Sequence, residues 1–153
     1  MIKSLGEKLM GAWELVSYVE KPLDGSPDSY PLGNAPKGLI LYTHDGFMSA
    51  QLMLPERQNF ASGDWFNGSP EEYQAEASTY IAYSGPYEVD ESAQTLTHSM
   101  TVSLFPNWTG QTQPRVVETD GEVLKLSTAT PINSKGKVVM SYLTWHRAKH
   151  KRN

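Results

Sequence analysis

The segment Thr95 to Trp108, TLTHSMTVSLFPNW, constrains the fold more than any other part of the chain. Leu96, His98, Met100, Val102 and Leu104 share one parity, and Thr95, Thr97, Ser99, Thr101 and Ser103 share the other. Successive side chains of a strand point to opposite faces, so this run predicts one long strand to Phe105 with an apolar face and a hydroxylic face. Strands of that kind pack one side on a core and show the other to water, typically in an antiparallel sheet. His98 therefore points into the interior, and the interior is where function is sought.

The same alternation recurs along the chain. Runs rich in β-branched and aromatic residues, punctuated by Gly, Pro, Asp and Asn, predict eight strands: 11–20, 37–43, 47–53, 85–90, 95–105, 112–119, 122–128 and 138–147. Three connections are short, at His44-Asp45-Gly46, Glu91 to Gln94 and Asp120-Gly121, and the last pair favours a type I′ hairpin. Sequential hairpins place successive strands side by side. An open sheet of eight would leave two exposed edges, and no edge strand carries the prolines or inward charges that protect an edge. Closure into an eight-stranded antiparallel up-and-down barrel removes both edges, and such a barrel is either filled by side chains or holds one small ligand.

Two segments depart from the β pattern. The start, MIKSLGEKLMG, reads as a short amphipathic helix with Ile2, Leu5 and Leu9 or Met10 on one side. In Ser69-Pro70-Glu71-Glu72 a cap, a first-turn proline and the returning glutamate of a capping box stand in order, and Tyr73, Ala77, Tyr80 and Ile81 recur at helical spacing. A helix is predicted from about 70 to 82, ending before Gly85-Pro86. The connections 21–36 and 54–69 are long for a compact domain, which suits lids or binding loops. They carry Tyr30 in the first and Phe60, Trp65 and Phe66 in the second, aromatics expected to fold over one end of the sheet.

A chain of 153 residues is one domain spanning 1–153, able to bury roughly 70% of its unfolded surface in a single core. With no cysteine there is no disulfide, thiolate metal site or cysteine nucleophile, and a reducing compartment is the easier home. The N-terminus has no apolar run of signal-peptide length, and nowhere do 18 apolar residues follow one another, so a cytoplasmic protein without a membrane span is expected. The net charge is −4, and the one basic cluster, Arg147 to Arg152, reads as a solvated terminus rather than a nucleic-acid contact.

Several sequence features together resemble a known family. Gly11-Ala12-Trp13 opens the first strand and Trp145-His146-Arg147 closes the last, similar to the Gly-x-Trp start and terminal arginine of lipocalins and related calycin barrels. More specific are Tyr30-Pro31-Leu32-Gly33, Gly38-Leu39-Ile40-Leu41-Tyr42, Asp45-Gly46-Phe47-Met48-Ser49, Tyr80-Ile81-Ala82-Tyr83-Ser84-Gly85 and Ser103-Leu104-Phe105-Pro106-Asn107-Trp108. From about Gly11 to Arg147 the chain resembles the bacterial and fungal lipocalin-like domain family of small intracellular proteins. The resemblance implies the lipocalin-like barrel, with Arg147 stacked on Trp13, and a setting beside natural-product biosynthesis. It implies no reaction.

Candidate site residues follow from the inward faces. If Arg115 faces inward, it and His98 stand on adjacent strands, close enough to share one ligand oxygen. Pro114 in mid-strand suggests a bulge that leaves the parity of Arg115 open. The structural alternatives are a hydrogen bond from His98 to Tyr87 or Tyr142, and a partner for Arg115 in Glu88 or Glu118. Ser49 and Gln51 offer polar handles in an apolar cavity, Met100 a pliable wall, and Tyr42, Tyr83, Tyr87 and Tyr142 ring surface with a hydroxyl. His44, His98, His146 and His150 lack metal-ligand spacing, and no phosphate loop, dinucleotide fingerprint or serine elbow occurs, so neither metal nor cofactor is expected.

The leading reading is a module that binds one small hydrophobic or aromatic molecule in the barrel. A cofactor-independent isomerase, cyclase or dehydratase is the second, with His98 as general acid or base and Arg115 or a tyrosine holding an oxyanion. A packed barrel used for subunit contacts, as in a homodimer, is the third.

Overall fold

The alternating runs pair in chain order. The computed structural model describes residues 1–150, so the last residues of the basic tail, 151–153, lie outside the described residues. Its strands are β1 (Gly11–Pro22), β2 (Lys37–Tyr42), β3 (Phe47–Met53), β4 (Tyr80–Asp90), β5 (Thr95–Ser99), β6 (Val102–Ser103), β7 (Thr112–Thr119), β8 (Val123–Thr128), β9 (Ile132–Ser134) and β10 (Lys137–Arg147). The antiparallel path β1-β2-β3-β4-β5-β7-β8-β10 closes where β10 returns to β1, from Pro22 opposite Val139 to Trp13 opposite Arg147. This is the expected eight-stranded barrel. The short β6 pairs with β4 and β9 with β10. Trp13, Ile40, Met48, Ala50, Leu52, Leu96, Leu124 and Trp145 fill the interior.

Helix α1 (Leu5–Leu9) plugs one end of the barrel, with Leu5 and Leu9 buried and a Ser4–Glu7 capping box at its start. Glu91, from the β4–β5 turn, accepts the Leu5 and Gly6 N–H groups at 2.8 and 2.9 Å. These are among the amides a helix N-terminus leaves without partners. The other end opens to solvent beside α2 (Pro70–Ser78).

Where the elements differ from the sequence reading, packing explains it. The helix after Ser69 begins with the expected capping box but stops at Ser78, because Tyr80, Ile81 and Ala82 pair with Met53, Leu52 and Gln51 as the start of β4. A β-rich run next to an open strand edge outweighs three more helical residues. The predicted strand 95–105 breaks after Ser99. Gly85 has no Cβ, so the Ser99 carbonyl packs directly on it. Met100 exchanges backbone hydrogen bonds with Gln111 and Gly110, and Thr101 N–H then bonds to Ser84. The kink ends the long apolar face: Met100 is buried, while Val102 and Leu104 are exposed.

Asp120-Gly121 does not form the type I′ turn, since only Gly121 has a positive φ. Asp120 instead accepts the Glu122 and Val123 N–H groups with its side chain, an arrangement available to short acidic residues. The turn with positive φ at both central residues is Lys135-Gly136, joining β9 to β10, a hairpin the sequence reading lacked.

Candidate functional site

The open end of the barrel is shaped by a bulge in β1. Leu15 pairs with Trp145 and Ser17 with Thr144, so Val16 is an extra residue and the inward parity shifts from Trp13 and Leu15 to Tyr18 and Glu20. Glu20 is thereby buried to 2 % exposure. Its carboxylate accepts hydrogen bonds from the Tyr18 hydroxyl at 3.0 Å, Ser134 at 2.6 Å and Ser141 at 3.3 Å. Burial and then the neighbouring Glu20 charge push the Tyr18 phenol far above its ordinary range, so it stays a donor.

Tyr18 and Glu20 lie on the wall of a cavity of about 410 Å³ at this mouth. Leu32, Ile81, Phe105, Trp108 and Ile132 supply its apolar surface, and Ser134 and Lys135 its rim. Leu32 comes from the first long connection, which folds back when Ser29 exchanges backbone hydrogen bonds with Glu20. The size is at the small end of ligand cavities, about 300–1,000 Å³, and suits one ring with a short chain.

Beyond this wall lies a second polar layer. Trp108 stacks edge-on against Tyr83 at 5.9 Å, and the Tyr83 ring lies 6.0 Å from His98. His98 is fully buried, its Nε2 2.8 Å from the Tyr42 hydroxyl, and its Nδ1 has no partner among the described residues. Burial, then the charge of Arg115, hold the imidazole well below its usual pKa. Burial also holds the Tyr42 phenol well above its own. Both groups are neutral near pH 7.

Arg115 faces inward with Gln113 and Val117. No bulge occurs at Pro114: the register with β5 runs unbroken from Thr112 to Val116, and the β8 ladder begins only at Arg115, leaving one side of Pro114 without a ladder to break. The Arg115 guanidinium donates to the Gln113 side chain at 2.8 Å and to the Pro114 carbonyl, not to Glu88 or Glu118.

The structure brings His98, Tyr42, Tyr83 and Met100 into the interior and places Tyr87 at its edge, where its ring packs on Tyr42 and its hydroxyl bonds to the Thr43 carbonyl. Ser49, Gln51 and Tyr142 are on the outer wall, because the inward parity of β3 is Met48, Ala50 and Leu52 and that of β10 is Val139, Ser141 and Trp145. Ser49 bonds to Ser84, and Gln51 accepts from the Tyr80 hydroxyl. Gln51 lines an outer groove of about 400 Å³ whose walls include the exposed Lys37 and Leu39, a setting with no buried polar group.

Of the four residues expected in lids, none lines the mouth. Tyr30 is exposed while its neighbours Pro31 and Leu32 turn in. Phe60 packs on Tyr73 of α2 at 5.4 Å, and Trp65 and Phe66 stack on each other at 74 % and 79 % exposure.

Sequence reasoning missed Tyr18, Glu20, Ser134 and Ser141. Unbroken alternation through GAWELVSYVEK would send Tyr18 and Glu20 outward, and nothing local marks the bulge at Val16. Among the described residues no helix is long and apolar enough to cross a membrane.

The pattern of a family described as the lipocalin-like domain matches residues 10–148. The chain is also similar to the 4'-hydroxy-3'-methoxypropiophenone carrier protein ppsC of Aspergillus oryzae, with 37% identity over 106 residues, covering 65% of this chain and 96% of that protein.

Proposed function

This chain belongs to the lipocalin-like domain family, and on that premise we propose that it binds one small hydrophobic aromatic molecule, such as a phenolic natural-product intermediate, at the open end of its barrel. The observation that carries the reading is the cavity of about 410 Å³ between Leu32, Ile81, Trp108 and Ile132, with a buried carboxylate in its wall. Apolar lining with few polar groups is the usual composition of a small-molecule site. A relative described as a carrier of a phenolic ketone supports the same class of ligand. The Tyr83–His98–Tyr42 layer lies behind Trp108, buried beneath the cavity wall rather than in it.

The enzymatic alternative gains no support from this geometry. His98 is fully buried behind Tyr83, its imidazole is held neutral, and it is absent from the cavity wall. A general acid or base has to reach its substrate's proton and titrate near the working pH.

Calorimetric titration with 4'-hydroxy-3'-methoxypropiophenone tests the proposal, with tryptophan fluorescence as a second readout. Saturable one-to-one binding in the micromolar range is expected, with a change in tryptophan emission that follows the same saturation. At 100 times the Kd, such a ligand stabilises the fold by about 2.7 kcal/mol. Heat and fluorescence that change only linearly up to millimolar ligand would rule the reading out.

A further inference from the structure

Glu20 is an unusual group to find in the wall of an apolar cavity. A buried carboxylate is costly unless its oxygens are hydrogen-bonded or paired with a cation. Among the described residues no Lys, Arg or His nitrogen forms an ion pair with it. Its partners are three hydroxyls: Ser134 on Oε1, Tyr18 and Ser141 on Oε2. A carboxylate has about four acceptor positions, so one is left, on the oxygen that carries the single Ser134 bond. Glu20 lines the cavity, and a donor arriving there completes the set.

Resting on the cavity reading above, we propose that Glu20 is the specificity-determining residue of this site, taking a hydrogen bond from the phenolic hydroxyl of a neutral aryl ligand. A phenol brings one O–H donor, which matches one open acceptor. An ammonium brings three donors and a full charge, and the Lys135 side chain at the same rim opposes it. An aryl carboxylate would place like charges together. Ser134 and Ser141 hold the Glu20 carboxylate from β9 and β10 while Tyr18 holds it from β1, so the acceptor is pre-oriented before any ligand arrives.

The test compares 4'-hydroxypropiophenone with 4'-methylpropiophenone, which has nearly the same shape and no donor, on the wild-type protein and on Glu20→Gln. A hydrogen bond to a charged group predicts a preference of about tenfold to a hundredfold for the phenol in the wild type. The preference falls at least fivefold in Glu20→Gln, where the acceptor loses its charge. The bound phenol also absorbs at longer wavelength in the wild type than in the variant, because the carboxylate draws on its proton. Equal wild-type affinities for the two ketones overturn the role of Glu20 and leave the cavity reading standing. Failure of both ketones to bind removes both readings. Tighter binding of phenethylamine than of the phenol also overturns the proposal. If Glu20→Gln does not fold, the wild-type comparison decides alone.

Discussion

Arg147 holds its guanidinium 3.8 Å from the centroid of the Trp13 ring, and through that stack the last strand of the barrel is tied to the first. The same side chain donates to the Met10 carbonyl at 2.6 Å, the Lys8 carbonyl at 2.7 Å and the Gly121 carbonyl at 3.0 Å. One planar fork thus joins the end of α1, the β7–β8 turn and the barrel seam, while Trp13 Nε1–H bonds to the Leu9 carbonyl. Arg147→Ala should cost about 2–4 kcal/mol, the sum of a desolvated cation–π contact and charged hydrogen bonds. For a chain of this length that is a fall of about 5–15 °C in Tm. Arg147→Lys should recover little, since an ammonium cannot present the fork. A melting point within 2 °C of wild type for the alanine variant, roughly the shift of a single weak contact, would contradict this account.

His98 makes stability depend on pH in a window set by the unfolded chain. Burial and Arg115 hold the folded imidazole well below its ordinary value, which is about 6.5 in the unfolded state. As pH falls through that value the unfolded chain takes up a proton that the folded chain refuses, so this contribution is complete above it and is lost on acidification. The loss approaches about 1.4 kcal/mol per pH unit, or about 2 kcal/mol between pH 7.5 and 5. His98→Gln keeps a partner for the Tyr42 hydroxyl and removes the titration. Unfolding free energies from urea titrations across that range should fall for the wild type by about 2 kcal/mol more than for the variant. Parallel profiles would show that His98 does not carry the effect.

The barrel was legible because alternation, short turns and the closing residues all point to one architecture, and β2, β3 and β7 stand within a residue of where the pattern puts them. The candidate site was only half legible, and for a physical reason. His98 lies on a strand whose parity holds up to Ser99, so its inward orientation could be read from β5, whereas Pro114 left the face of Arg115 open until the unbroken β5–β7 register placed it inward. Tyr18 and Glu20 lie beyond an extra residue that inverts the pattern, and a one-residue slip moves every later side chain to the opposite face. Ser49, Gln51 and Tyr142 were drawn into the interior by their chemistry, against the more apolar parity of their own strands. The aromatics of the second long connection satisfied one another instead of the mouth, Phe60 against Tyr73 and Trp65 against Phe66, a choice that depends on where α2 ends and so on tertiary pairing.

Gly85 decides whether β5 can kink. A methyl group there would overlap the Ser99 carbonyl oxygen and crowd the Thr101 amide, both backbone atoms that cannot rotate away. Gly85→Ala must separate β4 from the β5–β6 corner or abandon the Thr101-to-Ser84 hydrogen bond. Either outcome costs on the order of 3 kcal/mol or more, the range of buried backbone clashes. Ala82→Gly on the same strand provides a contrast, because it adds no atoms and should cost about 1 kcal/mol. Urea unfolding of the two variants checks the order. A smaller loss for Gly85→Ala than for Ala82→Gly would mean the corner yields.

Trp108 separates the inner site from the outer wall. It reaches the cavity from the short 3₁₀ turn Pro106–Trp108, is clamped edge-on between Tyr83 and Phe105 at 5.9 and 5.3 Å, and is the tryptophan among the aromatics that line the mouth. Trp108→Leu removes ring area from the ligand but keeps the turn and an apolar plug, so affinity for a hydroxyaryl ketone should fall about tenfold to a hundredfold, with stability lowered by about 1–2 kcal/mol. Ser49→Ala and Tyr142→Phe alter side chains on the outside of the same barrel and should leave the Kd within about twofold, since neither group touches the cavity. Titrating the three variants with one ketone orders them. If Tyr142→Phe weakened binding as much as Trp108→Leu, the ligand would sit in the groove between β8 and β10, which Tyr142 lines, and the mouth would be empty of function.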